Sequence, residues 1–335
     1  MLLSRKMLQR ILGTLWLIDG LLQLQPEMFT MNMVNGVMKP MLEGQPGLIG
    51  TNLQWIVQVT TEHLTAVNLL IAVVQIIVGI WFIIGFEVEW AVIVSLVWAL
   101  VVWYAGEGLS MLLTGSASIL TGAPGAVLLY PLLGFAILPP RRPKGGAKSA
   151  KDTKGAKDAI ATTAATREDG LISRLQLRYI LAAFWVFGAL LQLQPYWWQP
   201  GQISGAISDM VGQGGLNAFL VDPVLQGLSQ LTTNAEIPLN IALIVIFLAT
   251  GLPLFFAKGN GLRVALVVSI VISLLLWYFA QGFGMIFTGM ATDFNSGLLL
   301  VVIALACWPT KSAFRAARSR YSRKTLQEER SAQMV

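Results

Sequence analysis

Apolar positions along this chain form long blocks instead of the short periodic stripes of a soluble fold. Such blocks cover residues near 9–25, 64–85, 88–106, 175–194, 237–257 and 262–281, each long enough to carry an α-helix across a hydrocarbon core of about 30 Å. Two shorter stretches, 124–139 and 297–309, contain no charged residue. Together they predict eight spans. Polar and turn-forming residues gather between the blocks, with longer connections at 27–62 and 196–236 and shorter ones at 107–123 and 282–296.

The blocks repeat. Trp103-Tyr104-Ala105-Gly106-Glu107-Gly108 through Thr114-Gly115 returns as Trp277-Tyr278-Phe279-Ala280-Gln281-Gly282 through Thr288-Gly289, and Leu22-Gln23-Leu24-Gln25-Pro26 returns as Leu191-Gln192-Leu193-Gln194-Pro195. Self-similarity at one long period marks a duplicated unit. The expected fold is all-α: a polytopic integral membrane protein with eight transmembrane helices as two tandem parallel four-helix repeats. An even number of spans gives both repeats the same orientation, with their pseudo-twofold axis along the membrane normal. The expected boundaries are a first four-span repeat at 1–140, a flexible basic linker at 141–172, a second repeat at 173–310 and a basic tail at 311–335. The first span follows Arg5, Lys6 and Arg10 like a signal peptide. Its counterpart at 175–194 lies mid-chain, so the first span is expected to be retained.

Composition agrees with the pattern. Hydrophobic residues make up 55% and charged residues 12% of the chain, with a mean hydropathy of +0.67; soluble domains carry about twice that charged fraction. The formal net charge of +6 arises from where Lys and Arg cluster: Arg5, Lys6 and Arg10; the run from Arg141 to Arg178; Lys258 and Arg263; and Lys311 to Arg330. Only Lys39 falls in a segment assigned to the outside. Positive loops stay cytoplasmic, which predicts a plasma-membrane protein with both termini and the linker inside. Topology accounts for the basic pI, so nucleic acid is not an expected partner. The Gly-, Ala- and Lys-rich linker cannot bury enough apolar surface to order itself. With the tail, it can touch anionic lipid heads.

Few residues offer chemistry. Asp19 stands inside the first span, where a carboxylate must face protein or water. The duplication places Gly188 opposite it, so Asp19 serves either one specialised site or a tie between helices. Glu107, at the outer end of the third span, faces Gln281 in the second copy. Either side chain can cap backbone groups, but only the glutamate can exchange a proton. Glu62 and Glu236 are expected at matching helix starts, where a carboxylate complements the helix dipole, and the lone histidine, His63, reads as a boundary residue. Asp293 suits an Asx turn or cap before the last span.

Met28, Met31, Val34, Met38 and Met41 recur at helical spacing and predict an apolar stripe on the outer leaflet or across the bundle mouth; with Met33 the methionines Met28, Met31, Met33, Met38 and Met41 also form a cluster. Thioethers can hold Cu(I), but the second copy lacks the cluster and methionine packs irregular surfaces well, so packing is the favoured reading. One cysteine and one histidine leave no disulfide, Fe–S cluster or bis-histidine haem. No phosphate-binding glycine fingerprint occurs. No cofactor is evident, and the inventory points away from an enzyme.

The run from Arg10 to Gly20, then Glu62-His63-Leu64 through Gly79 and Gly85, resembles the DoxX/DoxD family of four-helix membrane proteins over about three spans of each repeat. That resemblance implies a four-helix unit and, from some members, thiosulfate:quinone oxidoreduction; no quinone site is carried over with it. Three functions follow as expectations: transport of a small solute or ion between the repeats, a membrane subunit of a quinone-linked redox system, or a structural or assembly subunit. The sequence leans to transport and does not set protein partners or homo-oligomerisation.

Overall fold

A computed structural model describes residues 3–139, 170–212 and 214–309, and no strand occurs among them. Most of the expected linker and all of the expected tail, with the lipid contact assigned to them, lie outside the described residues. The first half contains α1 (Arg5–Leu22), α2 (Gly47–Glu62), α3 (Leu64–Ile84), α4 (Val88–Ala105) and α5 (Leu129–Ile137). The second contains α6 (Arg174–Leu191), α7 (Gln202–Ser208), α8 (Asn217–Leu220), α9 (Asp222–Thr232), α10 (Glu236–Phe256), α11 (Gly259–Phe279) and α12 (Asn295–Ala306).

Among the described residues, five helices are long and apolar enough to cross a bilayer: α3, α4, α6, α10 and α11. Between 22% and 50% of each apolar window is buried, so these helices turn much of their apolar surface outward, toward lipid. This is a multi-pass helical membrane protein. Helix α1 has 18 residues, a spanning length, but carries Arg5, Lys6, Arg10 and Asp19. With 9 and 12 residues, α5 and α12 rise only about 14 and 18 Å. The chain before α5 instead runs through buried irregular backbone at 117–119 and 125–127, where Gly122 and Gly125 take positive φ.

Close backbone approach sets the packing. A Cβ on Gly79 of α3 would lie 2.5 Å from the Leu17 nitrogen and 2.7 Å from the Gly13 carbonyl of α1, so only glycine lets these helices meet. In the second half a Cβ on Gly251 of α10 would lie 2.9 Å from the Ala182 carbonyl of α6. Matched hydrogen bonds then tie each half. Trp16 donates to Ser95 Oγ at 3.0 Å and Trp185 to Ser269 Oγ at 2.9 Å. Asn68 Nδ2 donates to the Gln23 carbonyl at 2.7 Å and Asn240 Nδ2 to that of Gln192 at 3.1 Å. Trp103 donates to the Pro124 carbonyl and Trp277 to that of Phe294, both at 2.7 Å. One continuous core joins the halves, with Leu12, Trp16, Phe82 and Leu133 on one side and Trp185, Phe247, Leu299 and Leu300 on the other.

Two expectations need correction. The methionine stripe does not form one helix: Pro26 and Pro40 start short 3₁₀ turns, Pro26–Phe29 and Pro40–Leu42, around a π-turn at Met33–Met38. Proline lacks the N–H that a continuous helix needs. Nor do Glu62 and Glu236 match. The paired asparagines set Leu64 against Glu236, because the connection before Asn240 differs in length from that before Asn68. Glu62 ends α2, exposed, and takes a bond from Gln58 at 3.0 Å. Glu236 starts α10, buried, and accepts from the backbone of Gly201 and from both the backbone and hydroxyl of Ser204.

Candidate functional site between the halves

The site is assembled from the residues that leave the regular helices. Beyond α4 the chain unwinds at Gly106, and Leu109, Ser110 and Met111 all take positive φ. This turn holds Glu107 against the start of the next segment. Its Oε1 accepts from the Val127 amide at 3.2 Å and its Oε2 from the Ser110 hydroxyl at 2.8 Å. Gly125, at φ +135°, passes so close that a Cβ there would sit 2.7 Å from Glu107 Oε2. Burial, then the nearby Asp293, push the Glu107 carboxyl up to about 8, against the opposing pull of those two hydrogen bonds.

Asp293 comes from the other half, just before α12. It accepts from the Asn295 amide and from the Thr292 hydroxyl, which closes an Asx turn. Burial raises its carboxyl above the usual range despite those bonds. Asp19 lies behind, 1% exposed, and accepts from the Tyr130 hydroxyl at 2.5 Å. Its other oxygen has no partner. The Tyr130 ring packs on Trp16 with centroids 4.5 Å apart. Asp293 is close enough to repel both Asp19 and Glu107.

A cavity of about 500 Å³ opens between the halves, and Glu107 and Asp293 are both in its wall. Met41, Tyr196, Asp209 and Met285 also line it. No Lys, Arg or His does so among the described residues. The site can therefore hold protons or positive charge, and its walls offer thioether and aromatic surface to an apolar body.

Of the remaining sequence candidates, Gln281 also borders the cavity, and the others fall elsewhere. Gln281 is buried in the equivalent turn of the second half, where its Oε1 accepts from the Gly297 amide at 3.0 Å and its Nε2 donates to Ser296 Oγ at 2.8 Å and the Ile119 carbonyl at 3.3 Å. Glu107 and Gln281 thus share the capping of the next helix start, and only the glutamate also faces the other acids. His63 sits exposed between α2 and α3, outside the site, as does Glu62. Met28, Met33, Met38 and Met41 are buried in a small core with Leu53 and Val57, while Met31 is exposed. Among the described residues no group of three His, Cys, Asp or Glu side chains is placed to hold a metal ion.

Sequence reasoning missed Tyr130 and the meeting of Asp293 with Asp19. A usable signal lay in the duplication. Equal steps onward from Thr114 and Thr288 arrive at Ile119 and Asp293, so at Asp19 and at Asp293 alike the other copy is apolar. No protein-family model matches this chain, and no curated protein or solved structure matches it either.

Proposed function

We propose that this protein is a transporter of a small solute or ion, built of eight spans as two parallel four-span units, with its substrate site in the cavity between them. The cavity wall that brings Glu107 and Asp293 together from opposite halves carries this reading. Matched tryptophan and asparagine bonds in the two halves support the tandem arrangement. The short α5 and α12 fit it as spans completed by irregular backbone, which the membrane interior tolerates where the chain is buried in protein or lines a cavity. Transporters commonly place binding sites at such interruptions. The Lys/Arg pattern supports a plasma-membrane orientation with the termini inside and the cavity facing out.

The test is flux. Full-length protein reconstituted in liposomes should move protons, read with an internal pH dye, when candidate solutes are supplied on one side. Asp19→Asn and Glu107→Gln should abolish the pH dependence while leaving the protein folded. The absence of flux for ions, amines, acids and sugars alike, with a quinone copurifying, would replace this reading with the redox function implied by the family resemblance.

A further inference from the structure

The two halves build two equivalent junctions that differ in their polar residues. In one junction Asp19, Glu107, Tyr130 and Asp293 come together. In the other, the matching residues are Gly188, Gln281, Leu300 and Ile119. There Ile119 fills the space: a Cβ on Gly188 would meet its Cδ1 at 2.7 Å. Gln192, Gln194 and Trp197 pin the chain around it through Ser118 Oγ at 2.5 Å and the Ala117 carbonyl at 2.9 and 3.1 Å. Ile119 thus packs where Asp293 stands in the other junction, and the turns of Glu107 and Gln281 border the same cavity.

The cavity has features that point to a ligand. Three carboxylates line a cavity of about 500 Å³, Glu107 from one half and Asp209 and Asp293 from the other, a volume suited to a small organic molecule and far larger than a bare ion. No basic side chain lines it among the described residues, and Lys39, next to the lining residue Pro40, does not face it. Behind the cavity wall, the buried Asp19 keeps one oxygen without a partner. Met285 and the ring of Tyr196 provide polarizable and π surface, the usual surroundings of quaternary ammonium groups.

We propose that this cavity binds a small organic monocation, with Glu107 and Asp293 as its counter-charges. The proposal rests on the reading above that the cavity is the solute site, and it names the class of solute. The groups facing Glu107 are Asp293 from the segment before α12, Ser110 in its own turn and Tyr130 of α5, with Asp19 bonded to that tyrosine; Asp209 and Tyr196 also line the cavity. None is basic. Deprotonation of Glu107 completes the negative site, so cation binding strengthens as pH rises through about 8 and releases a proton.

Equilibrium binding to the full chain in detergent tests this with phenyltrimethylammonium, a permanent cation, beside its uncharged counterpart N,N-dimethylaniline. The cation should bind saturably and tighten by about 30-fold between pH 6.5 and 9, the change in the deprotonated fraction of a group titrating near 8. Glu107→Gln should remove that pH dependence while keeping the melting temperature at low pH, since Gln281 performs the same capping in the second half. Asp293→Asn should weaken binding at all pH values. Equal affinity for the neutral analogue, a pH-independent affinity in the wild type, or complete displacement by sodium would overturn the proposal. Flux of another solute without binding of the cation would do the same and leave the transport reading standing. Cation binding without any flux would sustain the proposal and remove transport.

Discussion

The junction around Glu107 and the junction around Gln281 have the same frame and opposite contents. In each, a tryptophan on the preceding helix reaches a carbonyl across the turn, and a side-chain oxygen accepts the first free amide of the next segment. The frame therefore needs only a hydrogen-bond acceptor at this position, and glutamine meets that need without charge. What glutamate adds is a titratable proton, held where burial and then Asp293 raise its pKa. Comparing the two separates scaffold from chemistry inside a single chain.

The largest expected effect comes from forcing the junction filled by Ile119 to resemble the one that holds Asp19. Gly188→Asp puts a carboxylate against Ile119 with no partner, and should cost about 3–5 kcal/mol, the usual penalty for an uncompensated buried charge. Ile119→Ala in the same chain should recover part of that loss by clearing the space. Thermal unfolding in detergent measures both, and a Gly188→Asp protein as stable as wild type would show that this junction is not packed shut.

Next is Tyr130→Phe. It removes the hydroxyl that donates to Asp19 and should lower stability by about 1–3 kcal/mol, the cost of an orphaned buried polar group. Asp19→Asn combined with Tyr130→Phe should lessen that cost, because an amide is cheaper to bury than a carboxylate. If the two substitutions proved additive, the Tyr130–Asp19 bond would not be the reason for the loss.

A subtler expectation concerns pH. Folded Glu107 keeps its proton up to about pH 8, while the unfolded chain releases it near 4.5. The native state thus binds the extra proton between those values, and its stability falls as pH rises through that window. The burial-raised Asp293 contributes with the same sign. Melting temperatures at pH 5 and 8.5 should therefore differ more in the wild type than in Glu107→Gln, and Gln281→Glu should widen the difference. A wild type indifferent to pH over this range would place Glu107 in water.

The smallest effects test the shared frame. Trp16→Phe and Trp185→Phe each remove one indole bond to a buried serine and should cost about 0.5–1.5 kcal/mol. The two losses should agree within about 0.5 kcal/mol, the scatter of independent sites. Clearly unequal values would argue that the halves do not share their scaffolding.

The long helices were legible in the sequence because apolar blocks need no partner to declare themselves. The blocks read at 64–85, 88–106 and 237–257 fall within a residue of α3, α4 and α10. Prolines and glycines hid the rest. Pro26 and Pro40 break the methionine stripe, and Gly125, at positive φ, delays the helix expected from 124 until α5 begins at Leu129. Of the candidate site, Glu107 stood out through its exchange for Gln281, and Asp19 through its place in a span. Asp293 read as a turn residue, which its bond to Asn295 makes it. Its meeting with Asp19 and Glu107 depends on how the halves dock, and no local pattern carries that information.

The glycine contact between α1 and α3 has a mechanical consequence. With Gly13 and Gly79 backbone to backbone, there is no side-chain layer to shear, and the two helices can only travel as one strut. The Ala182 and Gly251 approach makes a second strut of α6 and α10. Helices α3 and α10 have 21 residues each, about 32 Å of rise, so a thinner bilayer would tilt each strut as a whole instead of sliding its members. Membrane thickness would thereby set the angle between two rigid levers.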